Sequence, residues 1–228
     1  MLDVSAKRQR ANQSTGRRRT SEAARRERTN ERLAAAVQEY AALGWPCYPG
    51  EHPATDGTRA CSCDRIGCPS PAAHPASQVW QLRATVDADT LARWWAGTPE
   101  ANIVLPTGRV FDVFDVPARA GRAALARMEQ EGVRVGPVAA HGDERYLFFV
   151  ATRGAPVDED EWWSSHLDTV PESIADSPGM RWHCRDSYVL APPSVLPFGR
   201  SVTWVNEPQN APLPDPMRLL EILADACD

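Results

Sequence analysis

Apolar runs are short throughout this chain of 228 residues, and none nears the roughly 18–20 apolar residues needed to span a bilayer. The arginine-studded start has no apolar core and no small-residue cleavage motif, so no secretory leader is expected. Both absences argue against a membrane span and lead us to expect a cytoplasmic protein. Lysine is all but missing, Lys7 standing alone among 25 basic residues. With abundant alanine, that bias reads as a GC-rich coding background, for which an actinobacterial source is the expectation. The six cysteines are not spread as a disulfide framework, because three fall between Cys61 and Cys68. In a reducing compartment such clustering points to a metal. Proline is the exception to scarcity: its 20 residues gather at 46–75, 192–197 and 208–216, so long helices cannot fill the chain.

With 43% apolar and 24% charged residues, the middle of the chain can bury a core of one domain. Charge divides it unevenly. Residues 1–32 hold ten Arg/Lys against four Asp/Glu, whereas the rest is acidic. We read 1–20 as a disordered basic tail without regular structure, 21–206 as the domain, and 207–228 as a Pro-rich linker with a short C-terminal helix. Clustered cations such as Arg17, Arg18 and Arg19 attract phosphates regardless of sequence, which makes single-stranded DNA a candidate partner.

Leu33, Val37, Tyr40 and Leu43 recur at helical spacing, predicting a helix over 22–43 stopped by Gly44. A strand at WPCYP leads into a Pro/Gly/Cys loop over 50–78. Asp87 or Asp89 caps a helix through Leu91, Trp94 and Trp95, whose rings are expected to pack in the core. Strands follow at 102–105 and 110–116, a helix at 119–131 and strands at 138–140 and 146–150, the last so apolar that it should be central. A helix or turn at 158–168 would carry Trp162 and Trp163. Further strands fall at 188–191 and 202–205, and Asp215-Pro216 opens the last helix.

Cys61-x-Cys63-x4-Cys68-x5-His74 supplies three thiolates and one imidazole within fourteen residues, the donor set of a closed tetrahedral zinc site. The surrounding loop has no apolar run with which to fold itself, so a structural Zn2+ would supply the missing free energy. Four protein ligands leave no open position for catalysis.

Four segments in order, AALGWPCYPG, CSCDRIGCPSPAAHP, ATVDADTLARWWAGTPEANIVLPTG and SYVLAPPSVLPFG, resemble the N-terminal bifunctional DNA primase/polymerase (Prim-Pol) domain family of the archaeo-eukaryotic primases. The resemblance implies an α+β, RRM-like fold, with a mixed or antiparallel sheet packed with helices, and template-dependent nucleotidyl transfer with Mg2+ or Mn2+. The family's paired strand acids fall here on Asp115 and Pro117, in the register set by Gly121. Its nucleotide-facing histidine falls on Tyr146, and its third acid, counted back from Tyr188, falls on Arg181. Asp112 cannot replace the missing acid, since a spacing of three puts Asp112 and Asp115 on opposite strand faces unless a bulge intervenes.

The expected protein therefore keeps the scaffold and loses the metal site, and binds nucleotide or nucleic acid. Arg145, Arg181, His183 and Arg185 could converge on a phosphate, or could be unrelated charges of a solvated edge. His141 reads as an isolated surface histidine. The alternatives are an active primase using Asp112 and Asp115, and a scaffold protein with no nucleotide ligand.

Overall fold

The computed structural model describes residues 3–54, 59–152 and 179–227, with side chains from residue 21 onward except Asn210. The chain forms an α+β fold in which every strand pairing is antiparallel. Helix α1 (Asp3–Ala42) leads to β1 (Tyr48–Gly50), the short α2 (Trp80–Arg83) and α3 (Ala88–Gly97). Strands β2 (Asn102–Pro106) and β3 (Phe111–Pro117) precede α4 (Ala118–Gln130), then β4 (Val138–His141) and β5 (Arg145–Ala151). After these come β6 (Arg181–His183), β7 (Tyr188–Ala191), β8 (Val202–Asn206) and α5 (Pro216–Cys227).

Two sheets result, a three-stranded one ordered β1-β2-β7 and a five-stranded one ordered β6-β3-β5-β4-β8. Strand β5 lies at the centre of the larger sheet, in keeping with its apolar run. Alternation along β3 and β5 gives that sheet two buried faces. Phe111, Val113, Leu147 and Phe149 join α1 and the smaller sheet in one core, while Phe114, Val116, Phe148 and Val150 join α4 and α5 in the other. In the first core, Trp45 stacks on Phe149 with ring centroids 5.4 Å apart, and the Tyr40 hydroxyl donates to the Pro192 carbonyl at 2.5 Å. Such burial of large aromatic rings fixes how the two sheets meet.

Several local signals act as the sequence requires. Gly44 has φ +75° and ends α1, and the Asp87 carboxylate, not Asp89, caps α3 by accepting from Thr90 N at 2.8 Å. Trp95 is buried and Trp94 packs half-buried against Tyr48. Three differences stand out. Helix α1 opens at Asp3, so the basic segment expected to lack regular structure is helical; no proline interrupts residues 1–45, and Ala, Arg, Gln and Glu favour helix. Strand β6, only three polar-flanked residues long, offers no periodicity and escapes the sequence reading. Helix α2 is a single turn and escapes it for the same reason. The segment with Trp162 and Trp163 lies outside the described residues.

Candidate functional site

Strand register decides which charges meet. Asp115 pairs across to Leu147 on β5 and to Arg181 on the edge strand β6, with no bulge between Phe111 and Pro117. Odd-numbered residues of β3 and β5 therefore share one face. That face carries Asp115 and Pro117 from β3, Arg145 from β5, His141 from β4, and Arg181 and His183 from β6. Asp112 points to the opposite face and cannot join Asp115.

Asp115 is 5% exposed, so its charge must be paired within the protein. Arg145 Nε donates to Asp115 Oδ1 at 2.6 Å, and Arg145 Nη2 donates to the Asp115 carbonyl at 2.8 Å and to Gly179 O. His183 Nε2 lies 3.4 Å from Asp115 Oδ2, and Arg181 Nη1 lies 3.9 Å from the same oxygen. Burial pushes the Asp115 carboxyl up, but the hydrogen bonds and charges of His183 and Arg145 outweigh it and hold the group below the usual carboxylate range. The His141 pKa is lowered as well, there by burial, which the Asp115 charge opposes.

One carboxylate facing two guanidiniums and an imidazole is the reverse of what a divalent-metal pair needs. A Mg2+ or Mn2+ site requires converging oxygens with free lone pairs. Here Pro117 offers none, Arg181 brings a cation, and Asp115 is already hydrogen-bonded. The residues do not fit such a site. They fit an anion, because Arg181 has a side chain 68% exposed and retains donors beyond its long contact to Asp115.

Tyr146, which falls at the family's histidine position, pairs with Val116 and turns to the α4 side, where Arg122 sits 6.0 Å from its ring centre. A one-residue slip flips a strand's faces, and Arg145 is the residue β5 presents beside Asp115. Gly121 makes room for the ring, since a Cβ there would meet Tyr146 Cβ at 2.6 Å. His141, read as an isolated surface residue, is half-buried on the same face as Asp115 and pairs across to Arg145. Arg185 lies in the turn after β6 and pairs with Asp186 at 3.8 Å. The side chains of Arg17, Arg18 and Arg19 lie outside the described side chains.

The second constellation is the cysteine loop. Ligand atoms of Cys61, Cys63, Cys68 and His74 all lie within 4.8 Å of one another, and the cluster could hold a metal such as zinc. Tetrahedral geometry with Zn–S about 2.3 Å and Zn–N about 2.05 Å gives an S···N edge of roughly 3.6 Å. His74 Nε2 stands 3.5 Å from Cys61 Sγ and 3.4 Å from Cys68 Sγ. His74 Nδ1 donates to the Pro75 carbonyl at 2.9 Å, the outer hydrogen bond that leaves Nε2 free to ligate. Burial pushes the Cys61 thiol up to about 11; at Cys63 burial acts the same way, but hydrogen bonds from the Arg65 backbone and the other three ligands bring it down to about 7.

Asn102, unnoticed in the sequence, ties this loop to the sheets. Its buried amide donates to Ala72 O and Val195 O, both at 2.8 Å, and its oxygen accepts from Val195 N at 2.8 Å. Ala72 N in turn donates to Cys61 Sγ at 3.2 Å. No signal but a polar residue opening an apolar strand could have marked it.

The family model described as bifunctional DNA primase/polymerase, N-terminal, matches residues 37–216. That span takes in both constellations. No curated protein matches the chain.

Proposed function

The chain belongs to the bifunctional DNA primase/polymerase N-terminal family, and we propose that it is a member without nucleotidyl-transfer activity that binds nucleotide or nucleic acid through phosphate groups in the cytoplasm. The observation that carries this reading is the ion pair between Asp115 and Arg145 at 2.6 Å, flanked by Arg181 and His183. A carboxylate held this way gives up its metal-ligating role, and the surplus positive charge around it favours a phosphate instead. Arg185 at the neighbouring turn and the arginines of α1, among them Arg17, Arg18 and Arg19, add sequence-independent attraction for a phosphate backbone. Zinc is the metal we assign to Cys61, Cys63, Cys68 and His74, as a structural ion that folds the loop.

Two assays test the reading. Primer extension and de novo priming with all dNTPs and rNTPs, in Mg2+ or Mn2+, should give no template-dependent product. A nucleoside triphosphate should raise the thermal midpoint of the protein in the presence of a chelator too weak to strip zinc, and Arg181→Ala should abolish that rise. Product that disappears in Asp115→Ala would overturn the proposal in favour of an active enzyme.

A further inference from the structure

Asp115 and His183 also belong to a second hydrogen-bonded chain, which ends on Ser187. Ser187 Oγ is 2.9 Å from His183 Nδ1, and His183 Nε2 is 3.4 Å from Asp115 Oδ2. Serine, histidine and buried carboxylate thus stand in series across one imidazole. The carboxylate, with no proton to give, accepts from Nε2–H; that tautomer leaves the Nδ1 lone pair facing the serine hydroxyl. An imidazole oriented in this way is a base for the hydroxyl, and the carboxylate behind it stabilises the imidazolium that forms.

The serine is held rigidly. Asp186, immediately before it, has φ +63°, and the turn packs so closely on Gly108 that a Cβ there would lie 2.3 Å from Arg185 Cα. Thr107 fixes both ends of the turn, its N–H donating to Ser187 O at 2.9 Å and its hydroxyl to Cys184 O at 2.5 Å. A non-glycine residue in the left-handed region, kept there by packing and hydrogen bonds, is the kind of local strain found where a side chain is positioned for chemistry. The turn also places Arg185 next but one before the serine, and β6 places Arg181 beside the shared Asp115. Both arginines are exposed and able to pair with phosphate oxygens.

We propose that Ser187 is a nucleophile toward the phosphorus of a phosphoanhydride, with His183 as its general base and Asp115 as the residue that orients the base. In the step, the Ser187 Oγ–P bond forms as the bridging P–O bond breaks. The Ser187 proton passes to His183 Nδ1, the leaving nucleoside diphosphate keeps the bond's electron pair, and the serine is left phosphorylated. Arg181 and Arg185 neutralise charge on the phosphoryl oxygens. The substrate class rests on the phosphate-binding reading above; the activation of the serine does not.

The experiment separates the two. Full-length protein is treated with a fluorophosphonate, which reports an activated serine without needing phosphate binding, and in parallel with a nucleoside triphosphate whose binding is followed by thermal shift. Peptide mass spectrometry locates each adduct and identifies the group left by the triphosphate: a phosphoryl group is expected, and a nucleotidyl group would overturn the step. The expected result is modification of Ser187 by both reagents, absent in Ser187→Ala and slowed about 100-fold or more in His183→Gln, the usual reach of general-base assistance. Circular dichroism and an unchanged thermal midpoint in the absence of ligand show that Ser187→Ala keeps the fold. Fluorophosphonate labelling without triphosphate binding supports the activated serine and sinks the phosphate-binding reading, and with it the phosphoanhydride as substrate. Triphosphate binding with Ser187 left unmodified by either reagent overturns the nucleophile, as does modification that is equally fast in His183→Gln.

Discussion

Replacing Arg145 by alanine should cost far more than a surface mutation, and the structure sets the size. The Asp115 side chain is 6% exposed and that of Arg145 18%, so the pair is largely shielded from water. Removing one partner of a buried ion pair leaves an uncompensated charge, a loss of about 3–5 kcal/mol. His183 and Arg181 remain within 4 Å of Asp115 Oδ2, which places the expected loss at the lower end, about 3 kcal/mol. For a chain of this length that corresponds to a fall in thermal midpoint of roughly 6–12 °C. The pH dependence has a definite sign. Because the folded protein holds Asp115 below the usual range, its ionisation contributes stability above the unfolded value of about 3.9, and the contribution is lost as pH falls through the lowered folded value. The penalty of Arg145→Ala should accordingly shrink in that acid window. Urea denaturation of wild type, Arg145→Ala, Asp115→Asn and the double variant gives the coupling directly. A loss below about 1 kcal/mol at pH 7, or the same loss in the Asp115→Asn background, would refute the charge-pair argument.

Untagged protein purified without chelator should carry close to stoichiometric zinc by elemental analysis, and Cys63→Ser should sharply reduce it; full retention by a Cys61/Cys63 double variant would end the assignment. Asn102→Ala removes three hydrogen bonds of a buried side chain and should destabilise the protein by about 2–4 kcal/mol while loosening zinc, read as faster transfer to a chromophoric chelator. Deleting residues 1–20 should leave the fold intact, since among the described side chains of α1 burial begins at Leu33, and should flatten the salt dependence of single-stranded DNA binding. An unchanged salt slope would move that binding surface to the domain itself.

What the sequence determined by itself was local chemistry. Compact ligand spacing brings Cys61, Cys63, Cys68 and His74 together because a short loop has few ways to keep them apart. Periodicity located α3, α4 and the apolar β5, and the spacing of three separated Asp112 from Asp115, because these signals repeat within one element. The tertiary structure decided everything that depends on register between elements. Arg145, Arg181, His183 and Asp115 come from three strands, and only their pairing puts these four side chains on one face. Arg145 and Tyr146 are neighbours on β5, and only the register with β3 decides that Arg145 is the one beside Asp115. Likewise Ser187, His183 and Asp115 show no shared pattern along the chain, since a short edge strand carries no periodicity and the partners of its side chains are chosen by the neighbouring strand.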